Sequence, residues 1–197
     1  MLAIVTTIFL KHLLGLFIII NPISKVFIFN QLAQELDNRE HLKKAIIASI
    51  TIAVIMLAAV WLGIDLLNLF GISIDDFKVA GGIIIFYNGF TLLYEGKIKT
   101  SSSNSDFAIV PFSFPITIGA GALSLIIIFS KDYEATIYKL YQSIEVFIIS
   151  GLIAVLLIFS KKMIQLLPNS SVEIINKLMA VILMSIAVGM IKSGALA

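Results

Sequence analysis

The stretch FIIINPISKVFIF, Phe17 to Phe29, places a proline in the middle of an apolar run, and its reading decides the fold. A helix read without interruption from Met1 through this stretch to residue 34 would be about 51 Å long, more than ordinary tilt accommodates in a bilayer. Something must interrupt it. Asn21-Pro22 is the break point, because Pro22 has no N–H to give the helical ladder and its ring meets the carbonyl of Ile18. Asparagine is a favoured N-cap and proline a favoured first helical residue, so a second helical piece is expected to open at Pro22 with Ser24 in its first turn. Backbone that leaves a helix inside hydrocarbon has unpaired groups costing several kcal/mol each. Such a break survives only against protein or a water-filled cavity.

The rest of the chain supplies the membrane setting. Of 197 residues, 59% are hydrophobic and 13% charged, and the mean hydropathy is +1.07. Soluble domains carry about 25% charged residues, so a soluble enzyme, a disordered protein and a nucleic-acid binder are excluded as classes. A formal net charge of +2 is too small to imply a polyanionic partner. With no cysteine there is no disulfide, thiolate nucleophile or zinc-thiolate site. The apolar N-terminus has neither a basic leading segment nor a small-residue cleavage site, and is read as part of the mature chain.

Apolar runs long enough to span occur at 8–34, 45–63, 78–96, 108–129, 143–160 and 174–192. They are apolar on every face, as in GLIAVLLIFS from Gly151, whereas barrel strands alternate. The expected fold is therefore an all-α polytopic membrane protein of six transmembrane helices. Arg39, Lys43, Lys44, Lys97, Lys99, Lys161, Lys162 and Lys177 fall on one side; the other has Lys78, Lys131, Lys139, Lys192 and at most Lys11. Positive charge concentrates in the cytoplasm, so both termini are expected outside a cytoplasmic (inner) membrane.

A second run is punctured like the first. PFSFPITIGAGALS carries Pro111, Pro115, Gly119 and Gly121 in mid-span, and a half-helix is expected to open at Pro115 with Thr117 in its first turn. Each break is followed by a plain helix and then by a related segment, FKVAGGIIIF from Phe77 and NKLMAVILMS from Asn176. Three helices per copy is an odd number, so the second copy enters from the opposite side. Residues 1–98 and 99–197 are thus read as two inverted three-helix repeats within one membrane domain, with helices one and four broken at Pro22 and Pro115.

Half-helix starts present free N–H groups and about half a positive charge, which suits a carboxylate. Two opposed starts, with exposed carbonyls nearby, suit a small zwitterion. The candidate substrate-binding residues are Asn21, Pro22, Ser24, Asn88, Pro115, Thr117, Gly119 and Gly121, while Gly81 and Gly82 are read as helix-packing residues. Lys11 is a snorkelling anchor, and Lys25 is divided between a cavity role and a structural one. Asn88 is expected to face the protein interior, and Glu95 and Glu145 to be interfacial. No metal site or cofactor is expected.

FIIINPISKVFIF, ISIDDFKVAGGIIIF from Ile72, VPFSFPITIGAGAL from Val110 and KLMAVILMSIAVGMI from Lys177 together resemble the MarC family of integral membrane proteins. That family includes the SnatA-type small neutral amino acid transporters. The resemblance covers nearly the whole chain. It implies six passes in a bacterial or archaeal cytoplasmic membrane and, for the transporter branch, movement of glycine, alanine and similar solutes. The family's Asn-Pro-Ile-Gly falls on Asn21, Pro22, Ile23 and Ser24, its Ala-Gly-Gly on Ala80, Gly81 and Gly82, and its second break on Pro111 and Pro115. Ser24 replaces the usual glycine, Phe27 stands where a second proline is common, and Ala120 replaces the proline of Gly-Pro-Gly.

The expected function is a secondary transporter of small neutral amino acids working by alternating access, with a proton or sodium as the coupling ion left open. The alternative is a transporter or exporter of another small solute or drug-like compound. No enzyme is expected: there is no paired intramembrane aspartate motif, and His12 and His41 stand far in sequence from any serine-glycine nucleophile motif.

Overall fold

The computed structural model describes residues 2–94, 107–131, 136–166 and 169–196. Among these the chain is all helical, with α1 (Leu2–Ile20), α2 (Pro22–Leu32), α3 (Asn38–Leu69), α4 (Ile74–Tyr94), a proline segment (Ala108–Thr117), α5 (Ala120–Lys131), α6 (Thr136–Ile158), α7 (Ser160–Leu166) and α8 (Asn169–Ala195). Five spans are long and apolar enough to cross a membrane, the first being Thr7–Leu32 across α1 and α2. The proline segment and α5, bent by 63° at their junction, make a sixth if counted as one span. Glu95, Lys97, Lys99 and the 98/99 junction between the expected repeats lie outside the described residues.

Local chemistry sets the boundaries. A single residue, Asn21, separates α1 from α2, and it takes left-handed backbone (φ 49°, ψ 67°) that asparagine tolerates better than most side chains. Its Oδ1 accepts a 3.5 Å bond from the Ser24 amide, while Asn21 N still donates to Phe17 O at 3.0 Å. α3 opens on Asp37, whose Oδ1 accepts from Glu40 N at 2.7 Å. It closes at Gly71, which has φ +66°, with Ile72 N donating back to Leu67 O at 2.9 Å.

The second interruption differs in place from the sequence reading. Val110 and Phe114, each before a proline, are extended (φ −126°, ψ 124° and φ −134°, ψ 129°), and the Val110-Pro111 and Phe114-Pro115 bonds are cis. Residues preceding proline are pushed out of the helical region, so two prolines four apart keep this segment irregular. Continuous helix resumes only at Ala120, beyond Ile118 and Gly119. Pro115 therefore does not open α5, and Thr117 precedes its first turn.

Packing is closest between antiparallel α4 and α8. A Cβ on Gly82 would lie 2.9 Å from Ala187 O, and one on Gly89 would lie 3.0 Å from Ala180 O. A Cβ on Gly81 would lie 2.5 Å from Ser124 Cβ on α5. Small residues let backbones approach where lipid supplies no hydrophobic drive. α3 packs on α6, on α5 and on the proline segment; α6 in turn packs on α1 and α2. The centre is filled by Leu16, Ile20, Phe29, Ile52, Met56, Phe112, Ile126 and Ile149, all fully buried or nearly so.

Candidate solute-binding cavity

Asn21 is held at the α1–α2 interruption and Thr117 at the end of the proline segment, and both line one cavity of about 960 Å3. Asn21 is 6% exposed and Thr117 3%, yet Asn21 Nδ2 and Thr117 Oγ1 make no hydrogen bond among the described residues. A buried donor without a partner costs about 1–3 kcal/mol, so two such residues on one cavity wall mark a place where a small side-chain movement would let a solute or water supply the missing bond.

Ser24, one turn beyond the interruption, donates to Asn176 Oδ1 on α8 and so ties the first interrupted span to the last helix. Gly119 lines the cavity beside Thr117, and it must be small, since a Cβ there would sit 2.9 Å from Pro115 O. Ser113, behind Thr117, fixes the proline segment: its hydroxyl lies 2.6 Å from Ala108 O and 3.1 Å from Ala48 O on α3.

The structure brings Asn21, Ser24, Asn88, Pro115, Thr117 and Gly119 to this one cavity. Pro22 is buried but not on its wall, and Gly121 packs on α4, where a Cβ would be 2.7 Å from Ile85 Cγ1. Asn88 differs from its expected interior setting: it is exposed, at the open side of the cavity. Gln31, Thr91, Glu173 and Asn176 also line the wall, unmarked in the sequence because polar residues near helix ends are ordinary. From Asn21 to Gln31 the wall follows α2 for about 15 Å. The cavity thus reaches from the interruptions to the end of the bundle where α2 and α4 finish and α8 begins, and among the described residues it draws no lining from the opposite end.

Lys25 also lines it, 9% exposed, with no acidic side chain within ion-pair distance among the described residues. Glu173, the one acid on the lining, is exposed at the rim with Oε1 2.7 Å from Lys177 Nζ.

Glu145 is not interfacial. It is 1% exposed on α6, with Oε1 3.8 Å from His12 Nδ1 on α1. His12 stacks on Phe129 of α5, ring centroids 3.8 Å apart. Depth along a helix does not determine burial; here α1 and α5 cover the carboxyl. A second histidine, His41, lies 3.1 Å from Ser160 Oγ and joins α3 to α7, but Ser160 is fully buried and open to no substrate.

The profile of the MarC family integral membrane proteins matches residues 6–197. A UPF0056 membrane protein of Buchnera aphidicola subsp. Acyrthosiphon pisum is 29% identical over 197 residues, covering 95% of this chain and 92% of that one. The UPF0056 inner membrane protein MarC of Citrobacter koseri is 27% identical, covering 93% of each chain. UPF0056 membrane protein YhcE of Escherichia coli is 24% identical, covering 95% of this chain and 91% of that one. No solved structure matches the chain. With the profile match spanning nearly the whole sequence, the protein belongs to the MarC family of integral membrane proteins.

Proposed function

We propose that the protein is a secondary transporter of small neutral amino acids of the glycine and alanine type, working by alternating access rather than catalysis. One observation carries the reading: two different interrupted spans each contribute to the wall of the same cavity a buried polar residue, Asn21 and Thr117, whose side chain has a polar atom without a partner among the described residues. In the proposed cycle a solute takes up their hydrogen bonds, and the two halves then rock to expose it to the other side. A proton or sodium gradient would supply the drive.

The packing supports reading residues 1–98 and 99–197 as inverted repeats. α3 lies on the interrupted span of the second half and α6 on that of the first, while the third helices of the two halves, α4 and α8, pack on each other. Exchanging the halves preserves this arrangement. We further propose that both termini face outward, so that the cavity opens to the cytoplasm.

The test is uptake of labelled alanine and glycine into proteoliposomes under an imposed proton or sodium gradient. Accumulation above empty vesicles is expected, and uptake equal to empty vesicles would overturn the reading. The cavity volume favours one alternative, transport or export of a larger solute or drug-like compound, because about 960 Å3 lies at the upper end for drug-sized ligands. Competition for alanine uptake by larger solutes separates the two.

A further inference from the structure

We propose that Lys25 is the carboxylate anchor of the cavity, so that a solute must carry a carboxylate to bind there, whereas its ammonium group is dispensable. The proposal rests on the cavity being a solute site, and it names the chemical group that the site selects.

The argument is one of charge balance. Lys25 lies one helical turn past Asn21, more than nine-tenths buried, on the cavity wall. Ionisable side chains inside a membrane protein pair with one another or with backbone carbonyls. Among the described residues the Lys25 side chain makes no ion pair or hydrogen bond. Glu173, the only acid on the lining among the described residues, is at the rim and engaged by Lys177. An ammonium set against a cavity with no protein anion beside it needs its counter-charge from whatever fills that cavity. A carboxylate supplies it, and Asn21, on the same wall, has an amide nitrogen without a partner among the described residues. Among the described residues no anion lines the cavity at the depth of Asn21 to answer the ammonium of an amino acid, which is left with neutral groups such as Thr117. The carboxylate is therefore the discriminating group.

Thermal stabilisation of the full chain in detergent, at matched ionic strength, tests this with sodium acetate, sodium propionate, alanine and alaninamide hydrochloride. Acetate, propionate and alanine are expected to stabilise the wild type, and alaninamide to bind about tenfold more weakly or worse, as loss of a charge-assisted hydrogen bond requires. Lys25→Gln should erase the difference between alanine and alaninamide, and Lys25→Arg should retain it. If Lys25→Gln does not fold, the wild-type ligand series and Lys25→Arg decide the matter. Stabilisation by alaninamide equal to alanine, or by no carboxylate, overturns the proposal, as does a carboxylate effect undiminished in a folded Lys25→Gln. An anionic headgroup shares this chemistry, so stabilisation by phosphatidylglycerol micelles but not by the small carboxylates also overturns it. Carboxylate binding through Lys25 without any uptake in proteoliposomes would sink the transport reading alone.

Discussion

Asn21 serves two purposes that substitutions can separate. Glycine accepts left-handed backbone and costs only a few tenths of a kcal/mol as an N-cap, so Asn21→Gly should keep the melting midpoint while removing Nδ2. Alanine uptake by that variant is expected to fall about tenfold, as for a lost hydrogen bond of about 1.4 kcal/mol. Thr117→Val tests the other wall. It removes a buried hydroxyl that has no protein partner, so stability without solute should hold or rise by about 1 kcal/mol while uptake drops. A variant that lost both together would point to a purely structural threonine. Glu145→Ala is expected to behave in the opposite way: it opens a void beside His12 and breaks a buried pair, costing about 3 kcal/mol of stability, read as a lower midpoint in detergent. Of these residues, Asn21 was legible in the sequence because proline chemistry is local. Glu145 was not, because its burial depends on α1 and α5, far away in the chain.

At the level of helices, the contact between α4 and α8 depends on glycines facing backbone. Gly82→Leu and Gly89→Leu should push the pair apart, since a Cβ alone would already meet Ala187 O at 2.9 Å and Ala180 O at 3.0 Å. A loss of 2 kcal/mol or more is expected, about the overpacking cost in a tight core, read as reduced yield of folded protein and a lower midpoint. Gly151→Ala is the control. Nothing lies within 4 Å of a Cβ there, and the gain in helix propensity should stabilise by about 0.5–1 kcal/mol. The spans could be placed from the sequence because each apolar run matches a bilayer in length. Their ends could not, since α3 runs from Asn38 to Leu69, well past the apolar stretch at 45–63, under the control of its Asp37 cap and Gly71. The proline segment resisted for a further reason. Pro115 was read as a helix opener, whereas it and Pro111 each have an extended predecessor, and continuous helix starts only at Ala120.

The absence of cysteine from the whole chain gives a clean background for labelling. In intact cells a membrane-impermeant maleimide should modify Phe70→Cys, which lies exposed at the outer end of the proposed topology. Gln31→Cys, on the cavity wall at the other end, should react only after the cell is opened, and alanine should change its rate. The reverse pattern would invert the orientation while leaving the fold intact. The sequence indicated that a cavity should exist; which residues reached it was decided by assembly, as Lys25, Glu173 and Asn176 come from elements joined only by packing.

The one-ended reach of the cavity has a consequence for energy economy. Among the described residues, Leu16, Ile20 and Ile126 are fully buried beyond Asn21, and His12 joins Phe129 and Glu145 further along α1, which we read as a plug. A protein caught in this shape is a cup rather than a tube, and a vesicle studded with it should stay as tight to protons and water as bare lipid. In the proposed transport cycle, a driving gradient would be drawn down only when that plug gives way.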